Sequence, residues 1–194
     1  APGYNGGRSE KYIGEWMKLH GNRERIFVST KACHTFEGEP SRLTYKDMAE
    51  DLNLSLSQLQ TDYVDLFWIH NDDPAIPVER IVEDFNRVIE TGKVRAVGCS
   101  NWTVKRLEAA NAYAHAKGLH GFWANQIQWS LAEAEPAYVK AFNALVMDRE
   151  FRTLDETAEF SSALIGTMEA EGISGIHAGI GRTVQFAGEL SDSY

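Results

Sequence analysis

Five residues spread along the chain have side chains suited to acid, base and amide chemistry. They are Tyr4 in "GYNGG", Lys31 after "VST", His70 closing "DYVDLFWIH", Asn101 in "CSNW" and Gln126 in "ANQIQ". Singly, each has an ordinary explanation: a turn tyrosine, a surface lysine, a core or edge histidine, amides that cap a helix. Gathered in one place, they would set a proton donor, a cation and two amides around a single cavity, and that grouping points to a site. Other chemistries find no support. No GxGxxG follows a strand, so a dinucleotide turn of the Rossmann kind is missing. The six histidines show no HExxH or other ligand spacing, and no GxSxG nucleophile elbow occurs. Asp72 and Asp73 in "NDDP" point apart on an extended chain, and they read as an acidic cluster at a helix N-terminus.

The elements that must carry these residues alternate. "RIFVSTK" (25–31), "YVDLFWIH" (63–70), "VRAVGCS" (94–100) and "FWANQIQWS" (122–130) are short, rich in β-branched and aromatic residues, and predict buried strands. Between them lie helical patterns. In 9–20, Ile13, Trp16 and Met17 share a face; in 44–60, Met48, Leu52, Leu56 and Leu59 do. Thr44 with Asp47 is placed to cap the second helix. Pro77 opens 77–91, whose stripe is Ile81, Phe85, Val88 and Ile89 and whose end is Gly92. Val104, Leu107, Ala110 and Ala114 line 103–117, closed by Gly118. Strands that are apolar throughout, separated by helices, predict a parallel sheet covered on its faces. Each strand ends in polar residues: Lys31, His70, Ser100 with Asn101, and Asn125 with Gln126. In a parallel barrel those ends share one rim, where active sites are built. Beyond this, 133–160 has no clean period, and "GISGIHAGIGRT" (172–183) predicts one more short strand running into a glycine turn.

Bulk composition narrows the partners. The chain has 194 residues, 43% hydrophobic and 24% charged, with a net charge of −9. That acidity, without a basic stripe, disfavours nucleic acid and anionic membranes. No apolar run approaches the roughly 20 residues that span a bilayer, and the first residues lack the apolar core of a signal peptide. Cys33 and Cys99 form no CxxC pair, so two reduced thiols in a cytoplasmic protein are expected.

Taken in order, "YNGGRSE", "VSTK", "TDYVDLFWIH", "GKVRAVGCSNWT", "NQIQWSLAEAE" and "GIGRTVQF" resemble an aldo-keto reductase of the bacterial type. The resemblance is dense over 1–131 and patchy over 132–194, with 1–194 taken as a single barrel domain. It implies an α/β fold, a (β/α)8 TIM barrel that is incomplete in this chain. It also implies hydride transfer from NADPH, or from NADH, to a small aldehyde or ketone. Carried over by position, the resemblance makes Tyr4 the acid that protonates the carbonyl oxygen, Lys31 the amine beside it, and His70 the histidine completing the polar pocket. Ser100, Asn101 and Gln126 match residues that hold the nicotinamide carboxamide. "EFSSALIG" (159–166) resembles the seventh-strand segment, making Phe160 the ring stacked on nicotinamide and Ser161 a pyrophosphate contact. Gly181 and Arg182 match the loop that grips the adenosine end, where a guanidinium suits a 2′-phosphate. A free phenol with a pKa near 10 donates its proton slowly at neutral pH, and a neighbouring ammonium lowers that pKa.

The chain also departs from the family. The aspartate that the family places five positions before the tyrosine would precede Ala1. The first strand and nearly all of the second would also lie upstream, and residues are missing between "SSALIG" and "GISGIHAG". Two readings fit: a gapped stretch of a larger barrel, or a shortened member whose open strand edges need partner contacts. An oligomer of identical subunits stays open. The functional rivals are a non-catalytic nucleotide-binding scaffold and a phosphate-binding barrel in which Lys31 forms a Schiff base.

Overall fold

The computed structural model describes residues 5–35, 38–128 and 182–186. The elements in chain order are α1 (Arg8–His20), β1 (Ser29–Ala32), α2 (Tyr45–Leu59), β2 (Val64–Ile69), α3 (Val78–Ile89), β3 (Val94–Ser100), α4 (Val104–Lys117), β4 (Ala124–Gln128) and β5 (Arg182–Phe186). Short 3-10 turns at Asn5–Gly7 and Arg23–Arg25 flank α1.

Local signals set the helix ends. Thr44 accepts from the Asp47 N–H while the Asp47 carboxylate accepts from the Thr44 N–H, closing a capping box on α2. Thr103 caps α4 by accepting from the Arg106 N–H, and Gly118 in the left-handed region ends that helix. The α2 stripe of Met48, Leu52, Leu56 and Leu59 is buried as the periodicity predicts, and so is the α4 stripe.

β1, β2, β3 and β4 lie side by side in sequence order, all parallel. Lys31 stands opposite Trp68, and Trp68 opposite Gly98; Ser100 stands opposite Gln126. Side chains alternate faces along a strand, so this register sorts the residues. Phe67, Ile69, Val97 and Cys99 join the large core that also takes in the apolar stripes of α2, α3 and α4 and Met17 of α1. Leu66, Trp68 and Ala124, with Ala96 against them, form a second cluster. Lys31, Ser100 and Gln126 have the strand parity of that second cluster.

Several expectations are corrected here. β1 begins at Ser29, because Arg23–Arg25 form a 3-10 turn whose Arg23 guanidinium binds the carbonyls of Ile26 and Tyr63. On α1 the buried face is Glu10, Gly14 and Met17, while Ile13 and Trp16 are exposed. A Cβ on Gly14 would lie 2.6 Å from the carbonyl oxygens of Gln58 and Leu59, so the glycine lets α1 close onto the end of α2. Glu10 goes inward because Thr30 donates to it at 2.5 Å. Arg182 opens a strand rather than a loop: β5 pairs antiparallel to β4, with Arg182 opposite Gln128. The junction between "SSALIG" and "GISGIHAG", where residues are expected to be missing, lies outside the described residues.

Candidate functional site

The C-terminal ends of the parallel strands carry the polar residues, as a shared rim requires. Lys31 is buried on β1, and its Nζ donates to Gln126 Oε1 on β4 and lies 3.5 Å from Ser100 Oγ on β3. The Lys31 ammonium also stands 5.8 Å from the Trp68 ring centre. Ser100 Oγ donates to the Gln126 carbonyl at 2.9 Å. Three strands therefore meet in one cluster of an ammonium, a hydroxyl and an amide. Parity does this: residues of matching register on adjacent parallel strands share a face.

His70 and Asn101 form the neighbouring part of the rim. The His70 N–H donates to the Ala32 carbonyl at 2.9 Å, and the Asn101 side-chain amide donates to the His70 carbonyl at 3.3 Å. The Asn101 N–H donates to the Gln126 carbonyl at 3.0 Å. Cys33 and Asn101, each the first residue after its strand, have φ of 63°. The left-handed turn costs a non-glycine residue energy, and such residues gather where the chain must bend sharply beside a site.

Of the sequence-predicted site residues, Lys31, His70, Ser100, Asn101 and Gln126 thus converge. Tyr4, Phe160, Ser161 and Gly181 lie outside the described residues. The backbone of Arg182 sits opposite Gln128, at the rim end of β4.

Some rim residues carry no motif that announces them. His34 stacks edge-on against His70, with ring centres 4.5 Å apart and planes at 75°. Burial pushes His34 below the usual histidine pKa; Glu39 opposes that shift and Lys31 adds to it. Asp72 is not part of a helix N-terminus, because α3 starts only at Val78. Its carboxylate takes a forked pair of bonds from Arg106, Nε at 2.9 Å and Nη2 at 2.7 Å. Asp73 instead accepts from the Ala75 N–H at 2.9 Å and makes a local turn. An "NDD" followed some thirty residues later by an arginine on a helix's first turn gives no local signal. Both thiols are buried and free, and burial raises their pKa values. Among the described residues, no three His, Cys, Asp or Glu side chains gather as a metal ion needs, and no helix is long and apolar enough to cross a membrane.

Comparison with known proteins fits this layout. The sequence model of the aldo/keto reductase family matches residues 1–145. Norsolorinic acid reductase of Aspergillus flavus is 35% identical over 137 residues, covering 66% of this chain and 35% of that protein. Aldo-keto reductase YhdN of Bacillus subtilis is 32% identical over 116 residues, 59% of this chain and 35% of its own length. An NADP(+) aryl-alcohol dehydrogenase of Phanerodontia chrysosporium is 30% identical over 139 residues, 66% of this chain and 36% of its own. The chain thus spans about a third of the length of these curated relatives. A thermostable aldo-keto reductase crystallised with the inhibitor epalrestat superposes with a TM-score of 0.58 at 25% identity, over 83% of this chain and 61% of that one. The four parallel strands and their helices are part of a (β/α)8 barrel.

Proposed function

The chain belongs to the aldo/keto reductase family, and from that premise we propose that the protein reduces an aldehyde or ketone to an alcohol with NADPH. One observation carries the reading: Lys31, Ser100 and Gln126 meet on one sheet face, with His70 and Asn101 beside them at the same strand ends. A hydroxyl and two primary amides both donate and accept, so Ser100, Asn101 and Gln126 fit the carboxamide of a nicotinamide. When bound, the reduced nicotinamide ring would supply the hydride. Tyr4 is the proton donor in this reading, and the Lys31 ammonium lowers its pKa towards working pH by favouring the phenolate. His70 hydrogen-bonds the carbonyl oxygen and orients it. Phe160 and Ser161 would flank the nicotinamide and pyrophosphate, and Gly181 with Arg182 would hold the 2′-phosphate end. The relatives that act on norsolorinic acid and aryl alcohols support aromatic carbonyls as the first substrates to try.

The test pairs cofactor binding, read by fluorescence, with the loss of reduced-nicotinamide absorbance over a panel of aryl aldehydes. Lys31→Met is expected to cut turnover by about 10²–10⁴-fold, the range of a lost acid–base function, while NADPH still binds. NADPH binding without turnover of any carbonyl by the unaltered protein would select the non-catalytic scaffold. Binding of neither would end the proposal.

A further inference from the structure

We infer that Asp72 and Arg106 form a brace that positions His70, and with it the carbonyl-orienting imidazole; this rests on the reductase reading above. Residues 70–77 join β2 to α3. His70 is the first of them, so the course of this loop decides where its imidazole points. The loop closes around one guanidinium. Arg106 gives Nε and Nη2 to the two Asp72 oxygens at 2.9 and 2.7 Å. Its Nη2 also reaches the Asp73 carbonyl at 3.2 Å, and both terminal nitrogens reach the Ile76 carbonyl at 3.1 Å. The pair is sheltered, with side-chain exposures of 19% for Arg106 and 9% for Asp72, so solvent screens it little.

The far side of the brace is equally fixed. Arg106 lies in the first turn of α4, where its backbone N–H donates to the Thr103 cap at 3.3 Å. The stretch 101–106 therefore grips the loop twice: Asn101 holds the His70 carbonyl, and Arg106 holds Asp72, Asp73 and Ile76. Between those grips, Asn71 ties the loop to the Thr35 carbonyl at 3.3 Å. Two consecutive side chains after His70 and its own carbonyl thus fix the loop to both neighbouring strand ends. A lysine at 106 keeps the charge and loses the fork, since an ammonium cannot present parallel N–H groups to a carboxylate. The brace then slackens without an unpaired buried carboxylate.

The experiment uses the whole chain, with Arg106→Lys and the isosteric Asp72→Asn as independent variants. Each is expected to lower kcat for an aryl aldehyde by about 10- to 100-fold, the scale of an ångström-sized misplacement, with NADPH affinity unchanged. In a His70→Ala background neither should lower kcat further, because the group they position is gone. An equal loss in both backgrounds, or none in the unaltered one, overturns the brace. If the unaltered protein reduces no carbonyl, the reductase reading fails, and the brace is still decided by proton NMR of the imidazoles. Arg106→Lys should shift or broaden the His70 ring signals and leave those of the exposed His115 in place. An unmoved His70 refutes it.

Discussion

Gly98 gives the most exposed prediction, because two effects of opposite sign meet there. Replacing a glycine inside a strand by alanine removes backbone freedom from the unfolded chain and stabilises by about 0.5–1 kcal/mol. At Gly98 the new Cβ would lie 2.6 and 2.7 Å from Cε3 and Cζ3 of Trp68, and 3.2 Å from the Ala124 carbonyl oxygen. The indole is nearly enclosed, at 5% exposure, so it cannot swing clear without opening its own cluster. Overpacking of that kind costs about 1–3 kcal/mol. The clash wins, and Gly98→Ala should lose a net ~1–2 kcal/mol, read as a lower urea midpoint with an unchanged slope. Because Lys31 Nζ stands 5.8 Å from the centre of the displaced ring, the proposed carbonyl reduction should also slow by about tenfold or more. Near-UV circular dichroism should report the moved indole. The double variant Gly98→Ala, Trp68→Phe should recover part of the stability, since the atoms in conflict are gone. A stability gain of about 0.5–1 kcal/mol with unchanged near-UV signals would refute this account of the Lys31, Trp68, Gly98 row.

Asp65 accepts from the Val28 N–H at 2.9 Å, from Arg23 at 2.9 Å and from Arg95 at 2.8 Å while 5% exposed; Asp65→Ala should cost about 3 kcal/mol in urea unfolding, and a loss under about 1 kcal/mol would mean that solvent already screens the cluster. Since the folded pKa of His34 is depressed, the folded state binds fewer protons there than the unfolded chain. The stability His34 permits is therefore complete above its unfolded pKa and is lost as pH falls through the lower folded value. His34→Gln should flatten that acid limb of the unfolding profile, and a superposable profile would count against burial as the cause. With both thiols enclosed and their pKa values raised, neither Cys33 nor Cys99 should react with a thiol reagent at neutral pH until denaturant is added; prompt labelling of the folded protein would contradict their burial.

Much of this was legible in the sequence because it is written in periods. Four strands and four helices follow from alternation and from stripes such as Met48, Leu52, Leu56 and Leu59, and the cap at Thr44 follows from local chemistry. Lys31, Ser100 and Gln126 were legible for the same reason, since residues at the ends of parallel strands have few places to go. What escaped depends on contacts between distant segments. The inward face of α1 is set by Gly14 against the carbonyls of α2 and by Glu10 against Thr30, so the apolar pattern of Ile13 and Trp16 misleads. Arg106 looks like any helix-surface arginine until the loop after β2 folds around it. Gly98 gives no sign of its role until Trp68 is laid across it.

The two ends of the sheet hold their charges in different ways, and the difference bears on which end does chemistry. At the N-terminal end, the Asp65 carboxylate is met by two guanidiniums and a backbone N–H, and both guanidiniums also lie against the Tyr63 ring, Arg23 at 3.8 Å and Arg95 at 4.3 Å. Removing both guanidiniums would strand the buried Asp65 carboxylate, at a cost of several kcal/mol. That arrangement is static, as the stability face of a parallel barrel should be. At the C-terminal end, the Lys31 ammonium is bound by an amide oxygen and a hydroxyl, and Asn101 and Ser100 spend donors on backbone carbonyls. The bonds that Asn101 and Ser100 give to backbone carbonyls net only about 0.5–1.5 kcal/mol each, and those from the charged Lys31 ammonium about 1.5–3 kcal/mol. A ligand that offers equivalent groups can take over the neutral bonds of Ser100 and Asn101 at little cost, whereas the enclosed pair of Asp65 with Arg23 offers no such exchange. In the proposed reductase reading the reacting end is the one that gathers Lys31, Ser100, Asn101 and Gln126 at the C-terminal ends of the strands, where a parallel barrel builds its sites.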